Sequence, residues 1–332
     1  MSKENEKREI NHEQEITPWK VEGAIIDGKA QAINYDKLIE QFGTKRIDAE
    51  FKKRFENLTG RKLHPLLRRD KPFFLYTGRG PSSNNDEKFL FKPELTLDDT
   101  RKFARENAKD IIACKFNVEK TFIFSNSDYV GKEFYHNIVR ISRCITTSQS
   151  KATFGFNDSD CVGKIHFVSI QAAPSFSNSF PQIFGKRTDI PCLIPCAIDQ
   201  DPYFRLTRDV AHKLKYPKPS LVHAKFFPAL QINKHAFSGG GDTKELHELH
   251  GGNPDIDVAY QYLSFFLDDD DELESIYKNY KSGKLMTGVL KAHCIEVLQK
   301  FVGEFQKRKS EITDEVLDKF MDPNRKILVD GV

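Results

Sequence analysis

Two short apolar runs, each closed by a polar turn, constrain this chain more than any other feature. Phe73-Phe74-Leu75-Tyr76 runs into Thr77-Gly78-Arg79-Gly80-Pro81-Ser82-Ser83, and the stretch from Ile190 to Ile198 runs into Asp199-Gln200-Asp201. Apolar runs of this length, bounded by glycine or acidic turns, read as buried strands. Thr121-Phe122-Ile123-Phe124 reads as another. Between the strands the apolar spacing takes a helical period. A helix over about 97–113, with Thr96 as N-cap, sets Phe103, Ala104, Ala108, Ile111 and Ile112 on one face. A further apolar helix over 131–145 includes Ile138, Val139 and Ile141. Strands alternating with helices predict an α/β domain built on a mostly parallel sheet.

The pattern changes after Ser238-Gly239-Gly240-Gly241, beyond which only helical periods occur. Leu290, Cys294, Val297, Leu298, Phe301 and Phe305 mark one long face, and Thr313 caps a final helix carrying Val316, Leu317 and Phe320. The run Asp268–Asp271 falls where a helix begins, and it reads as a solvated turn favoured by the helix dipole. At the other end, Leu38, Ile39 and Phe42 suggest a short amphipathic helix. Residues 1–16 are charged, lack periodicity and read as a disordered arm. A length of 332 residues accommodates two domains, here an α/β domain over 71–237 and an all-helical one over 238–332, preceded by an extension over 17–70. Helices of the second domain can also return to pack on the first.

Composition then limits the function. No apolar run reaches the roughly 20 residues needed to span a bilayer, and the polar opening Met1–Lys7 resembles neither a secretory nor an organelle leader. A cytoplasmic location without membrane contact is expected. A net charge of +3 argues against a surface uniformly adapted to nucleic acid, although it leaves room for a local basic face. The six cysteines lack the paired spacing of a zinc site and are expected as buried, reduced thiols, with no structural metal.

Three segments could carry chemistry. The turn Gly78-Arg79-Gly80 after a strand allows backbone amides to approach a phosphate, with Arg79 adding charge, although taken alone it also fits a plain turn. The strand end Ala197-Ile198-Asp199-Gln200-Asp201 lies where open α/β sheets bind ligands, and it also fits a loop cap. Gln171 sits among small apolar residues in Ile170-Gln171-Ala172-Ala173-Pro174-Ser175, and if buried it needs a partner, in the protein or in a ligand.

Taken together, and in this order, the blocks Phe73–Ser83, Asp86–Lys92, Phe154–Asp160, Gln171–Gln182, Cys192–Arg205 and Ala236–Gly240 resemble the eukaryotic-type cytosolic tryptophanyl-tRNA synthetases. The resemblance runs from about Pro18 to Pro323. It implies a class I synthetase with a Rossmann-type catalytic domain and a helical anticodon-binding domain, working as a homodimer. The implied reaction activates L-tryptophan with ATP and its Mg2+ counter-ion, then transfers the amino acid to tRNA(Trp). By resemblance, Tyr76 walls the indole pocket, and Glu87, Gln171 and Gln200 hold the amino end of tryptophan. Thr77, Gly78 and Arg79 belong to the ATP site, with Ala197 and Asp199 beside the nucleoside. Pro18-Trp19 resembles the start of a hairpin that supports ATP binding.

The sequence departs from that family at its two best-known motifs. A His-x-Gly-His motif is expected after Ser83, yet Asn84-Asn85 leads straight to Asp86-Glu87. A Lys-Met-Ser-x-Ser loop is expected after Gln231, yet Ile232-Asn233-Lys234 follows at once. A third block is missing between Arg69 and Asp70. Either the natural chain carries these segments and a structure of it breaks at the three junctions, or the protein is a splice product unable to activate an amino acid. An inactive synthetase fold that binds tRNA or a protein partner, and the sister tyrosyl-tRNA synthetase, are the competing expectations.

Overall fold

The computed structural model describes residues 13–16, 21–23, 25–26, 29–30, 33–41, 44, 46–53, 89–224 and 238–328. All three junctions, and the expected strand Phe73–Tyr76, lie outside the described residues. At the N-terminal end, β1 (Glu15–Ile16) pairs antiparallel with β2 (Val21–Glu22), and β3 (Ile25–Ile26) with β4 (Lys29–Ala30). The segment expected as a disordered arm is therefore already in a hairpin at Glu15. Its neighbour Gln14 is tied down because its amide exchanges two hydrogen bonds with the Asn34 backbone, at 2.8 and 3.1 Å. Helix α1 (Tyr35–Gln41) follows and buries Leu38.

Helix α2 (Leu97–Ala113) begins at Thr96, whose hydroxyl accepts from the Asp99 amide while the Asp99 carboxylate accepts from the Thr96 amide. Such a reciprocal box satisfies two orphan donors of the first turn. The buried stripe is narrower than its apolar residues suggest: Thr100, Ala108 and Ile112 are buried, while Phe103 stays exposed. Thr121–Phe124 is not a strand. It has no ladder partner among the described residues, and the Ile123 amide donates instead to the Phe320 carbonyl.

Helices α3 (Lys132–Ser142), α4 (Thr147–Phe154) and α5 (Val162–Ala172) lead to the parallel pair. Strand β5 (Leu193–Ala197) runs into helix α6 (Asp201–Leu214), which returns to β6 (Ser220–Ala224). The register sets Leu193 beside Ser220 and Ala197 beside Ala224. This strand–helix–strand crossover is the parallel α/β unit that the alternating sequence implies. The strand is shorter and less buried than its apolar sequence predicts, with Leu193 exposed at the edge. Phe134, Ile138 and Ile141 of α3 join Ala172, Ala173, Phe176, Val210 and Ala211 in one core. A second core sets Phe154 and Phe156 against Phe167, Val168, Tyr203 and Leu206.

Beyond Ser238 come α7 (Lys244–His250), α8 (Val258–Phe266), α9 (Asp270–Lys281), α10 (Thr287–Ser310) and α11 (Asp314–Met321). The acidic run caps α9 as expected, with the Asp269 carboxylate accepting from the Asp271 and Glu272 amides. Leu290 and Cys294 of α10 are fully buried against Leu263, Leu273 and Tyr280. Thr313 caps α11, which turns back to bury Leu317 and Phe320 against Ala108 and Ile112 of α2. Each such side chain contributes about 1.5–3 kcal/mol to holding the end of the chain on the α/β part. Arg325 secures it further, its guanidinium donating to the carbonyls of Val118, Lys319 and Thr121. All six cysteines are free thiols; Cys196 and Cys294 are buried, but Cys114 and Cys161 lie on the surface, against the expectation that all are buried.

Candidate functional site

The carboxyl end of β5 is where the crossover unit opens. The chain leaves the strand in a single 3-10 turn, Ile198–Gln200, and enters α6 at Asp201. Pro202 stands in the first turn of α6, where its fixed φ suits a helix and its missing N–H costs nothing. The turn thus has little freedom, and it presents Asp199 and Gln200 side by side. Gln200 Nε2 donates to Asp199 Oδ2 at 2.9 Å, and the second carboxylate oxygen, Oδ1, is buried without a hydrogen-bond partner among the described residues. Burial pushes the Asp199 carboxyl above its ordinary range, and the bond from Gln200 offsets this only in part.

Asp201, two residues on, has the opposite balance. Burial works to raise its pKa, but His223 and Arg205 outweigh that and hold it below the usual carboxylate range. Tyr203, one turn into α6, lies flat on Phe154 with ring centroids 3.9 Å apart. Burial, and then the neighbouring Asp199 charge, raise its phenol far above the ordinary value.

Helix α5 supplies the facing wall. Phe167 and Val168 pack in the same core as Tyr203, and Gln171 follows one turn later. Its Oε1 is buried with no hydrogen-bond partner among the described residues. The chain after Gln171 is braced rather than loose. Ser179 Oγ donates to the Ala173 carbonyl at 2.7 Å, Asn137 Nδ2 donates to Ser179 Oγ at 2.9 Å, and Asn178 donates to both Asn137 and Tyr216. Gln182 accepts from the Tyr129 hydroxyl at 2.8 Å but leaves its own buried Nε2 unpaired.

Of the residues expected at the site, Ala197, Asp199 and Gln200 stand on one strand end, and Gln171 on the helix packed beside α6. Tyr76, Thr77, Gly78, Arg79 and Glu87 lie outside the described residues. Sequence reasoning missed the supporting groups Tyr203, Gln182 and His223. His223 was unreadable because its partner, Asp201, lies in another element. The Gln182 orphan has no sequence signal at all. Among the described residues no group of three or more His, Cys, Asp or Glu side chains is placed to hold a metal ion. None of their helices is long and apolar enough to cross a membrane.

The carboxyl end of β5, with Asp199 and Gln200 side by side and Gln171 on the helix packed beside α6, is the candidate ligand site. No family model matches the chain. It is 52% identical to the cytoplasmic tryptophan–tRNA ligase of Schizosaccharomyces pombe, over 95% of this chain and 98% of that protein. The corresponding enzyme of Saccharomyces cerevisiae is 50% identical, over 94% of this chain and 90% of that one. In structure, the tryptophanyl-tRNA synthetase of Plasmodium falciparum superposes with a TM-score of 0.82 at 39% identity, covering 88% of this chain and 96% of that one. The S. pombe alignment extends over 389 positions, whereas 95% of 332 residues is about 315, so roughly 70 aligned positions have no counterpart here. A shortfall of that size suits the missing motif blocks, and the identity on either side of it is far above what a shared fold alone requires. The chain belongs to the cytoplasmic tryptophan–tRNA ligases.

Proposed function

We propose that this protein activates L-tryptophan with ATP to tryptophanyl-adenylate and transfers it to tRNA(Trp), with the site at the carboxyl end of β5. The observation that supports this reading most directly is the pair of buried acceptors that have no hydrogen-bond partner among the described residues, Gln171 Oε1 and Asp199 Oδ1. Buried acceptors of this kind are costly unless a ligand donates to them. The α-ammonium of an amino acid and the hydroxyls of a ribose are donors of the required kind. Gln171 and Gln200 are assigned to the ammonium, and Ala197 and Asp199 to the nucleoside. Tyr76 is assigned to the indole, Glu87 to the amino end, and Thr77, Gly78 and Arg79 to ATP.

The chemistry asks little of these residues beyond placement. The tryptophan carboxylate is already a nucleophile and attacks the α-phosphorus in line, and pyrophosphate leaves with Mg2+ as its counter-ion. Positioning and stabilisation of phosphate charge carry such a step. The second step is attack of a terminal ribose hydroxyl of tRNA on the adenylate. The charge-stabilising work falls to the histidines and lysine of the motifs expected after Ser83 and Gln231, so turnover is to be measured both on this chain and on a version with those segments inserted at the junctions.

Replacing Gln171 by Ala in that version tests the assignment. The expected result is a KM for tryptophan raised by about 10-fold or more, from loss of a hydrogen bond to a charged group. The melting temperature should hardly change, because Oε1 has no partner among the described residues to lose. An unchanged KM would remove Gln171 from the site.

A further inference from the structure

The turn that presents Asp199 and Gln200 is anchored from outside its own segment. Asp201, immediately after the turn, is only 3% exposed. Its Oδ2 accepts from Arg205 Nε at 2.5 Å, and its Oδ1 lies 3.0 Å from His223 Nε2, a polar contact not aligned as a hydrogen bond. The two partners differ in what they can do. Arg205 is one turn along the same helix, has a half-exposed side chain, and moves with Asp201 wherever the helix start moves. His223 belongs to β6, where it stands in register with Cys196 of β5, and its side chain is largely buried. It is the group that refers the start of α6 to the sheet. A carboxylate buried this deeply is expensive unless charged or polar partners surround it. The expense is understandable if the position of the turn matters more than the stability of the fold.

We propose that His223 is a positioning residue for tryptophan activation: by holding the Asp201 carboxylate from β6, it fixes the turn that carries Asp199 and Gln200 against the end of the sheet. The role rests on the functional reading above. Gln200 is covalently adjacent to Asp201, so a shift at the carboxylate is passed directly to the glutamine. A misplacement of about 1 Å in a positioning group can cost about 100-fold in rate.

The test compares His223→Phe, which fills the space without an N–H, with His223→Gln, which restores a donor. Both are made in the protein carrying the missing segments. Tryptophan-dependent pyrophosphate exchange, melting temperature and amide hydrogen exchange are measured for each. Expected for His223→Phe are a KM for tryptophan raised by about 10-fold or more, a lowered kcat, and amide exchange at Ile198–Gln200 accelerated while α10 keeps its protection. His223→Gln should recover most of all three. Wild-type KM and unchanged exchange at the turn would overturn the proposal, as would exchange accelerated uniformly through the fold with KM unaltered. If the unmutated protein fails to activate tryptophan, the functional reading falls. Exchange at Ile198–Gln200 then still decides whether His223 anchors the turn.

Discussion

Asp199 and Asp201 are two residues apart, both buried, and shifted in opposite directions, because burial dominates at Asp199 while His223 and Arg205 outweigh it at Asp201. Linkage gives each a distinct consequence. A carboxyl whose folded pKa is raised favours folding at pH values below its unfolded pKa and loses that advantage as the pH rises through the folded value. At neutral pH, Asp199 is therefore a burden on the fold. Asp199→Asn should raise the melting temperature of the ligand-free protein at pH 7 while weakening ATP binding, and the gain should disappear as the pH falls below about 4, near the ordinary Asp value. Asp201, held low, contributes stability above its unfolded pKa that is lost as the pH falls through its folded value, so Asp201→Asn should destabilise at pH 7. Thermal melts of both variants across pH check the pair of signs, and a lower melting temperature for Asp199→Asn at pH 7 would contradict the account. The polar strand end was visible in the sequence as a site. The opposite fates of its two carboxylates were not, since these depend on Arg205 and on a histidine in the next strand.

At the scale of elements, what was legible was what the local sequence determines. Thr96 and Thr313 gave their helix starts to the residue, because an N-cap and the amide that donates to it lie within four positions of each other. The second box, Thr146 with Gln149 at the start of α4, follows the same rule. Thr96→Ala should cost about 1 kcal/mol, measured as a shift of the denaturation midpoint without a change in slope. No shift would mean the cap is idle. Thr121–Phe124 failed as a strand for the converse reason. A strand needs a neighbour, and this segment is instead bonded through Ile123 to the end of α11. The return of α11 onto α2 was anticipated only as an option, since neither helix announces its partner. The helix over 131–145 proved shorter, and two of its three named apolar residues, Ile138 and Ile141, fill the chain's own core.

At the scale of the molecule, that correction leaves Val139 and Tyr135, both about half exposed, as the outward apolar groups of α3. A symmetric dimer seated on this face of the catalytic part remains our expectation. Light scattering at micromolar concentration should give twice the chain mass, and Val139→Glu should shift it towards the monomer; a monomeric parent protein would contradict it. The family itself was legible from the order of the blocks, which survives the loss of roughly 70 aligned positions. Tyr76, assigned to the indole, and the glycine turn after it lie outside the described residues. Substrate choice is read out by ATP–pyrophosphate exchange with each amino acid in turn. With the three segments in place, the protein should exchange with tryptophan and reject phenylalanine and tyrosine by about 10⁴-fold or more, because a site built to bond the indole N–H is left with an unpaired buried acceptor by phenylalanine and is misfilled by tyrosine. Exchange with tyrosine as fast as with tryptophan would contradict the account.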